Sequence, residues 1–184
     1  MCIRDSCTFD KAIETLNVLR EEYDDIQPIM SERASSIDSR FGKSEEFVNT
    51  VEAICGKKII NTIAKAEPIG PKKLLDVLVI CPCTGNTLAK MAGGITDSAV
   101  TMAAKSHLRN GRPVLIAVST NDGLSGSAEN IGKLLNKKNV YFVPFYQDDP
   151  FGKPCSLVAD FERVPQALKA ALDGRQIQPL IEII

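Results

Sequence analysis

The sequence has no tryptophan, a single histidine and almost no excess charge of either sign. Its 22 Lys and Arg residues nearly balance 23 Asp and Glu residues, for a formal net charge of −1. Without a run of basic residues, the chain lacks the positive field expected of a partner for nucleic acid or an anionic membrane. Its longest apolar stretch, residues 74–81, contains Asp76 and is far shorter than the roughly 20 residues that span a bilayer. We expect a cytoplasmic protein that binds a small molecule or another protein.

Disulfide bonds and metal ions are also disfavoured as sources of stability. The six cysteines are scattered through 184 residues, a length that buries a sufficient core without cross-links. Cys81 and Cys83 form the one close pair, and a zinc site would need more ligands than these thiols and one histidine provide. We predict buried, inert cysteines and no metal site.

Helical and strand-like patterns alternate along the chain. Apolar residues at helical spacing predict helices at 8–22, 44–54, 59–66, 84–91, 98–108, 127–135 and 164–172. Short apolar, β-branched runs predict strands at 26–30, 74–80, 113–118 and 140–143. Strands joined through helices define βαβ crossovers, so we predict an α/β fold with a doubly wound parallel sheet.

Polar turns follow the first three predicted strands, where parallel sheets bind their ligands. These turns, at 31–36, 82–87 and 119–123, are rich in hydroxyls and amides and carry no dominant charge. Hydroxyls and the N–H groups of a helix N-terminus suit a phosphate, and Gly85 permits close approach of a ligand. Helix capping by Ser and Thr is the alternative. The candidate cofactor-binding residues are Ser31, Thr84, Gly85, Asn86, Thr87, Ser119 and Thr120.

The sequence lacks the common nucleotide-binding motifs and gives no indication of a catalytic triad. Neither G-x-G-x-x-G nor G-x-x-x-x-G-K-[ST] occurs, which disfavours NAD or a nucleoside triphosphate as this chain's own cofactor. His107 falls in the middle of the helix predicted at 98–108, away from any strand end, so a catalytic triad is not expected. We interpret His107 as a residue of the helix surface.

The segments 82–97 and 112–121 resemble the core of the flavoprotein family that includes cysteine decarboxylases and flavin prenyltransferases. The segments 40–42, 66–71 and 144–151 extend the resemblance to nearly the full length. It implies a Rossmann-like fold that seats FMN at the strand ends, in a homo-oligomer with the site at a subunit interface. Asn86 and Asn121 match the family's site asparagines and are the candidate catalytic residues.

One branch of that family is resembled throughout the chain, and it implies a particular reaction. A dehydrogenase-like A subunit, which carries NAD(P), is the implied partner. The pair would oxidise a dihydropyridine dicarboxylate to pyridine-2,6-dicarboxylate in the mother cell of a sporulating bacterium. Because this ligand is a dianion, the cations Arg33, Arg40, Lys43 and Lys90 are candidates for gripping it, the alternative being plain surface charge.

Departures from the family pattern shape three further expectations. Nothing matches the decarboxylases' active-site histidine, and Ser119-Thr120-Asn121 replaces their P-x-M-N segment, which argues against cysteine decarboxylation. Residues 1–6 stand where the family has a strand and a Gly/Ser-rich turn, yet carry charges. We interpret 1–6 as a non-native remnant and 7–184 as one domain with a truncated first strand. A non-catalytic scaffold or substrate-delivery subunit without flavin chemistry is the alternative function.

Overall fold

The computed structural model describes residues 6–38 and 43–182. The helices are α1 Ser6–Glu22, α2 Glu32–Ser36, α3 Ser44–Cys55, α4 Ile63–Ala66, α5 Gly85–Gly93, α6 Ala99–Arg109, α7 Ala128–Leu135 and α8 Val164–Leu172. The strands are β1 Leu78–Cys83, β2 Val114–Thr120, β3 Val140–Phe142, β4 Phe145–Tyr146 and β5 Leu157–Ala159. Short 3-10 turns occupy Glu67–Ile69 and Phe161–Arg163. In these described ranges, no helix is long and apolar enough to cross a membrane.

Strand β2 lies at the centre of a five-stranded sheet. It pairs in parallel with β1 on one side and with β3 on the other, so that Val114 faces both Leu78 and Val140. The predicted α/β class and its parallel sheet are therefore confirmed. The last residues of β2 also pair antiparallel with β5, which pairs with β4. At three and two residues, β5 and β4 are too short to show an alternating pattern, so the sequence did not predict them.

Helices cover both faces of the sheet because successive side chains of β2 point to opposite sides. Val114, Ile116 and Val118 pack into a core with residues of α5, α6 and α7. Leu115 and Ala117 pack on the other face, against α1 and α8. All five of these side chains are fully buried, so β2 is a firmly packed strand that positions the segments before and after it.

The strand predicted at 26–30 does not join the sheet among the described residues, so that part of the prediction is wrong. Ile29 makes an isolated parallel bridge with Ile60, in which the Met30 N–H donates to the Ile60 carbonyl over 2.9 Å. Met30 is buried in a separate cluster with Val51 and Cys55 of α3. The apolar side chains that indicated a strand are instead buried in this cluster with residues of α3.

The neighbouring helix prediction at 59–66 is shortened for the same reason. Because Ile60 belongs to the bridge, the helix begins only at Ile63. Thr62 caps its N-terminus, since the Thr62 hydroxyl accepts a hydrogen bond from the Lys65 N–H over 3.3 Å. The remaining predicted helices are confirmed to within a few residues, with Gly56 in the left-handed region (φ 64°) directly after α3.

The apolar run at 74–80 becomes a strand only from Leu78. Its first part is a turn in which Leu74 is 54% exposed and Lys73 has a φ of 50°. The Arg112 guanidinium donates to the carbonyls of Lys73 and Leu75 and pairs with Asp76 over 3.2 Å. This arginine, which precedes β2, therefore holds the turn that comes before β1.

Predictions for positions outside the described ranges remain predictions. Residues 1–5, most of the suggested remnant, lie outside the described residues, as does Arg40. Ser6 is the first residue of α1. Among the residues that are described, β1 has β2 as its one strand partner.

Candidate functional site

The carboxyl ends of β1 and β2 bring two polar segments together. Thr84 follows β1 and is the residue before α5, where it is buried but makes no capping hydrogen bond with its side chain. Residues 121–127 follow β2 and lead into α7. Because β1 and β2 are parallel neighbours, both segments emerge at the same edge of the sheet.

Gly85 is the point at which the two segments touch. A Cβ atom placed on Gly85 would lie 2.6 Å from Ser127 Oγ, 2.8 Å from Thr120 Oγ1 and 2.9 Å from Asp122 Oδ1. All three distances are shorter than real Cβ atoms show, so a larger residue at this position would have to displace these oxygens. The sequence predicts that Gly85 permits close approach of a ligand, and in the structure the approaching groups are the protein's own oxygens.

Asp122 is the centre of this cluster. Its Oδ1 accepts hydrogen bonds from the Thr120 hydroxyl over 2.5 Å and from the Ser127 hydroxyl over 2.9 Å. Its carbonyl oxygen accepts the N–H groups of Ser125 and Ser127, which closes the turn before α7. Ser127 is 2% exposed, so the carboxylate is tied to a buried anchor. We call Thr120, Asp122 and Ser127 the carboxylate cluster.

Asn86 and Asn121 flank the carboxylate cluster and are both exposed. Asn86 is the second residue of α5, and Asn121 directly follows β2. Neither side chain has a hydrogen-bond partner in the described part of the chain. A primary amide both donates and accepts, so these two groups suit the polar edge of a neutral ring or a carboxylate.

The other predicted cofactor-binding residues have structural contacts of their own. Ser31 caps α2 by accepting the Ala34 N–H over 3.2 Å. Thr87 Oγ1 lies 3.5 Å from Thr84 Oγ1, and the backbone of Ser119 pairs with Val158 of β5. Ser31 therefore has the helix-capping role that was the alternative to ligand binding. Thr84 and Thr87 lie beside the site, close to Gly85.

The predicted cationic residues that the structure describes, Arg33, Lys43 and Lys90, lie outside the two edge segments. Lys90 is in the last turn of α5 and pairs with Asp97 over 2.9 Å. Arg33 is exposed on α2, and Lys43 is exposed directly before α3. In the segments 84–87 and 119–127 the one ionisable side chain is Asp122.

The thiols near the site are unreactive by their surroundings. Burial raises the pKa of Cys81 and of Cys83 to about 12, so neither forms a thiolate near neutral pH. Cys55, Cys81, Cys83 and Cys155 are free thiols. Across the described ranges, no group of three or more His, Cys, Asp or Glu residues is arranged for a metal ion.

His107 is not a helix-surface residue, so that interpretation is wrong. It is 1% exposed, and its Nε2 has no hydrogen-bond partner among the described groups. Burial lowers its pKa, and a hydrogen bond with the Pro113 carbonyl offsets this only in part. The ring packs where α6 meets the start of β2, which leaves it outside the strand-end site.

Sequence reasoning missed Asp122 and Ser127 as members of the site. Asp122 is part of the polar turn after β2, but an acidic residue does not fit the expectation of a phosphate seat. Ser127 is predicted only as the start of a helix. The sequence shows only a carboxylate two residues after the end of β2, with hydroxyls two residues before it and five residues after it, and this spacing alone does not indicate that the three groups meet.

Comparison with known proteins identifies the class. The flavoprotein family model matches residues 2–162, and the chain belongs to this family. It is a homologue of the B subunit of dipicolinate synthase: it is 42% identical over 175 residues to that protein from Bacillus subtilis (strain 168), across 95% of this chain and 88% of the relative. The crystal structure of the dipicolinate synthase B subunit from Bacillus halodurans C superposes with a TM-score of 0.88 at 42% identity, across 97% and 92% of the two chains.

A more distant relative shares the fold. The FMN-dependent cysteine decarboxylase SpaF superposes with a TM-score of 0.64 at 22% identity, across 88% of this chain and 87% of that one. The amides of Asn86 and Asn121 offer the donors and acceptors that a planar ring with polar edges would need. The Asp122 carboxylate lies close to Gly85, the first residue of α5, so this part of the edge carries a negative charge.

Proposed function

We propose that this chain is the flavoprotein-like subunit of a two-subunit dipicolinate synthase. In this proposal it works with the A subunit of dipicolinate synthase, a dehydrogenase-like partner, in the cytoplasm of the mother cell during endospore formation. The dihydrodipicolinate-type substrate loses two electrons and two protons to become pyridine-2,6-dicarboxylate. The partner's NAD(P)⁺ takes up the electron pair with one proton, and the second proton passes to solvent.

The observation that carries this proposal is full-length similarity combined with the arrangement of the edge. The chain is 42% identical to two proteins described as the B subunit of this enzyme, and both comparisons span nearly all of it. A name that specifies one subunit implies a second. The paired amides of Asn86 and Asn121 supply neutral hydrogen bonds suited to a planar ring with polar substituents.

The residues proposed to hold FMN are Asn86 and Asn121. FMN, when bound, supplies reversible two-electron redox chemistry. The two amides orient the ring against the edge of the sheet, and Thr84, which is buried, keeps the start of α5 in place. A primary amide is neither protonated nor ionised near neutral pH, so these residues bind and orient rather than act as acids or bases.

A second candidate is a substrate-holding subunit without redox chemistry. It is favoured by the composition of the edge, where Asp122 is the one ionisable side chain of segments 84–87 and 119–127. The nearby thiols of Cys81 and Cys83 are held protonated by burial. Such a subunit would present the substrate, or close the active site, while the partner performs the hydride transfer.

The experiment that tests the proposal combines the purified chain with the A subunit, NAD(P)⁺ and the dihydrodipicolinate precursor. We expect pyridine-2,6-dicarboxylate to form much faster with both subunits than when this chain is left out. An unchanged rate would refute the proposed function. A yellow chain with flavin absorbance supports the first candidate, and a colourless chain that still accelerates its partner supports the second.

Self-association belongs to the same proposal. We expect a homo-oligomer in which the edge with Asn86 and Asn121 lies near the interface between two copies. Sedimentation equilibrium of the chain alone measures this directly, and a 20.0 kDa particle would contradict it.

A further inference from the structure

A cavity of about 380 Å³ lies between α6 and the segment 66–71. Its volume is within the range of roughly 300–1,000 Å³ that is typical of small-molecule sites. The second half of α6 forms one wall, and the segment 66–71 forms the other. Because α6 ends shortly before β2 begins, the cavity lies toward the amino ends of the strands. The lining residues are Glu67, Pro71, Met102, Lys105, Ser106 and Arg109.

The two walls are held together by contacts of the protein itself. A Cβ atom placed on Gly70 would lie 2.9 Å from Ser106 Cβ and 3.1 Å from the Ser106 carbonyl oxygen, so the segment packs directly on α6. The Asn110 side-chain amide donates to the Gly70 carbonyl over 2.7 Å and to the Ser106 carbonyl over 3.3 Å. Ala66 and Ile69 are buried in the main core and hold the segment from its other side. A ligand therefore enters a pre-formed cavity and does not have to order its walls.

The polar groups of the lining lack good partners among the described residues. Lys105 and Arg109 lie one turn apart on α6, where like charges repel each other, and Glu67 on the other wall forms an ion pair with neither. Ser106 is 7% exposed, and its hydroxyl donates to the Met102 thioether over 3.8 Å, which is a weak acceptor. A buried hydroxyl at a cavity wall with so poor a partner indicates that a ligand oxygen belongs there.

The arrangement of these groups favours one class of ligand. The guanidinium of Arg109 binds a carboxylate through two parallel hydrogen bonds, and the ammonium of Lys105 is a compact charge for a second carboxylate. Residues four apart on a helix have Cβ atoms about 5–6 Å apart, so one small ring with two carboxylates can reach both cations. Met102 and Pro71 supply apolar surface for the ring. Inorganic phosphate cannot use that apolar surface.

We propose that the cavity between α6 and the segment 66–71 binds a ring dicarboxylate through Lys105, Arg109 and Ser106. The inference deepens the proposed function and rests on it for the identity of the ligand, which is pyridine-2,6-dicarboxylate or its dihydro precursor. It gives a role to the segment 66–71, which contributes nothing to the edge with Asn86 and Asn121. The sequence did not single out these two cations, because cations four residues apart are common on exposed helices.

Equilibrium dialysis of the full chain against pyridine-2,6-dicarboxylate, followed by the absorbance of this ligand, tests the proposal. Lys105→Gln and Arg109→Gln should each weaken binding by about tenfold or more, since each removes a hydrogen bond between charged groups. Ser106→Ala should weaken binding by about fivefold, because it removes a neutral donor. Arg109→Lys keeps the charge without the planar fork, so it should lose less affinity than Arg109→Gln.

A matched variant and two other ligands serve as controls. Lys138→Gln removes the same charge from an exposed lysine after α7 and should bind the dicarboxylate as the wild type does. Pyridine-2-carboxylate, which has one carboxylate, should bind about tenfold more weakly. Inorganic phosphate at the same concentration should displace little of the dicarboxylate. Lys105 and Arg109 are exposed, so their substitution leaves the core untouched.

Each outcome decides the proposal. Weaker binding in Lys105→Gln and Arg109→Gln, with wild-type binding in Lys138→Gln, supports it. Equal affinity in all of these variants, or no measurable binding by the wild type, overturns it. Loss of binding in Asn86→Ala alone also overturns it and assigns the dicarboxylate to the edge of the sheet. The dialysis contains neither flavin nor the A subunit. A chain that binds the ligand through these cations without accelerating its partner would therefore refute the proposed function and leave this inference standing.

Discussion

Replacing Gly85 by alanine tests the close contact between the two segments of the site. The added methyl group would lie 2.6 to 2.9 Å from three oxygens of the carboxylate cluster. If these oxygens move away from the methyl group, the two hydrogen bonds to Asp122 lengthen or break. Overpacking of this kind costs about 1–3 kcal/mol, and each hydrogen bond to a charged group contributes about 1.5–3 kcal/mol. Relaxation and the better helix propensity of alanine offset part of this, so we expect a net loss of about 1–3 kcal/mol.

Urea denaturation at pH 7 measures this change. With an m-value of about 2 kcal/mol/M, the midpoint of Gly85→Ala should fall by about 0.5–1.5 M. Gly132→Ala is the matched control, because no atom lies within 4 Å of its Cβ position on α7. Alanine should stabilise that exposed helical site by up to about 1 kcal/mol, so the two substitutions have opposite signs.

A double-mutant cycle identifies the contact itself. Ser127 Oγ is the nearest atom to the added Cβ, so Gly85→Ala should cost clearly less in a Ser127→Ala background. A stabilising Gly85→Ala, or a cost that is the same in both backgrounds, would refute the proposed approach of the β1–α5 turn to the loop after β2.

Three further predictions concern pH, thiols and the surface. Burial lowers the pKa of His107, so the unfolded chain binds the proton more tightly than the folded chain does. The free energy of unfolding should therefore fall as the pH drops below about 6.5, by at most about 1.4 kcal/mol per pH unit. In His107→Gln the urea midpoint should depend less steeply on pH over this range, and an unchanged dependence would contradict this. Brief iodoacetamide treatment of the native chain at pH 8, followed by peptide mass spectrometry, should label Cys155 and spare Cys81 and Cys83, because the pKa of each of these two thiols is raised to about 12. Faster labelling of Cys81 or Cys83 than of Cys155 would contradict the assignment. Phe151 is 100% exposed, so Phe151→Ala should change the free energy of unfolding by less than about 0.5 kcal/mol, and a loss above about 1 kcal/mol would show that its ring packs.

The sequence predicted those parts of the fold that depend on local pattern. The continuous apolar run of β2 and the helical spacing of α3, α6 and α8 each indicate one structure, and all are present. The run at 74–80 misled because its beginning is a turn fixed by Arg112, 36 to 39 residues away in sequence. The strand predicted at 26–30 was wrong because a short apolar run can be buried against helices as well as in a sheet.

The sequence predicted that the segments after β1 and β2 meet at one edge of the sheet, but not that a negative charge lies there. Parallel strands place Gly85 and Thr120 at one edge, as expected from the crossovers. That Asp122 folds back onto Thr120 and Ser127, and so reaches Gly85, depends on how the loop after β2 closes. No local pattern encodes that contact, since hydroxyls and carboxylates are common in loops for reasons of solubility alone.

The most direct test of the central claim is turnover with the A subunit when the two amides at the edge are removed. Asn86→Ala and Asn121→Ala should each lower the rate of pyridine-2,6-dicarboxylate formation by about tenfold, since the loss of one ligand hydrogen bond is worth about 1.4 kcal/mol. Asn49→Ala, which alters an exposed asparagine of α3, should leave the rate unchanged. Wild-type rates in both edge variants, with the A subunit still dependent on this chain, would contradict the assignment of the site to the ends of β1 and β2.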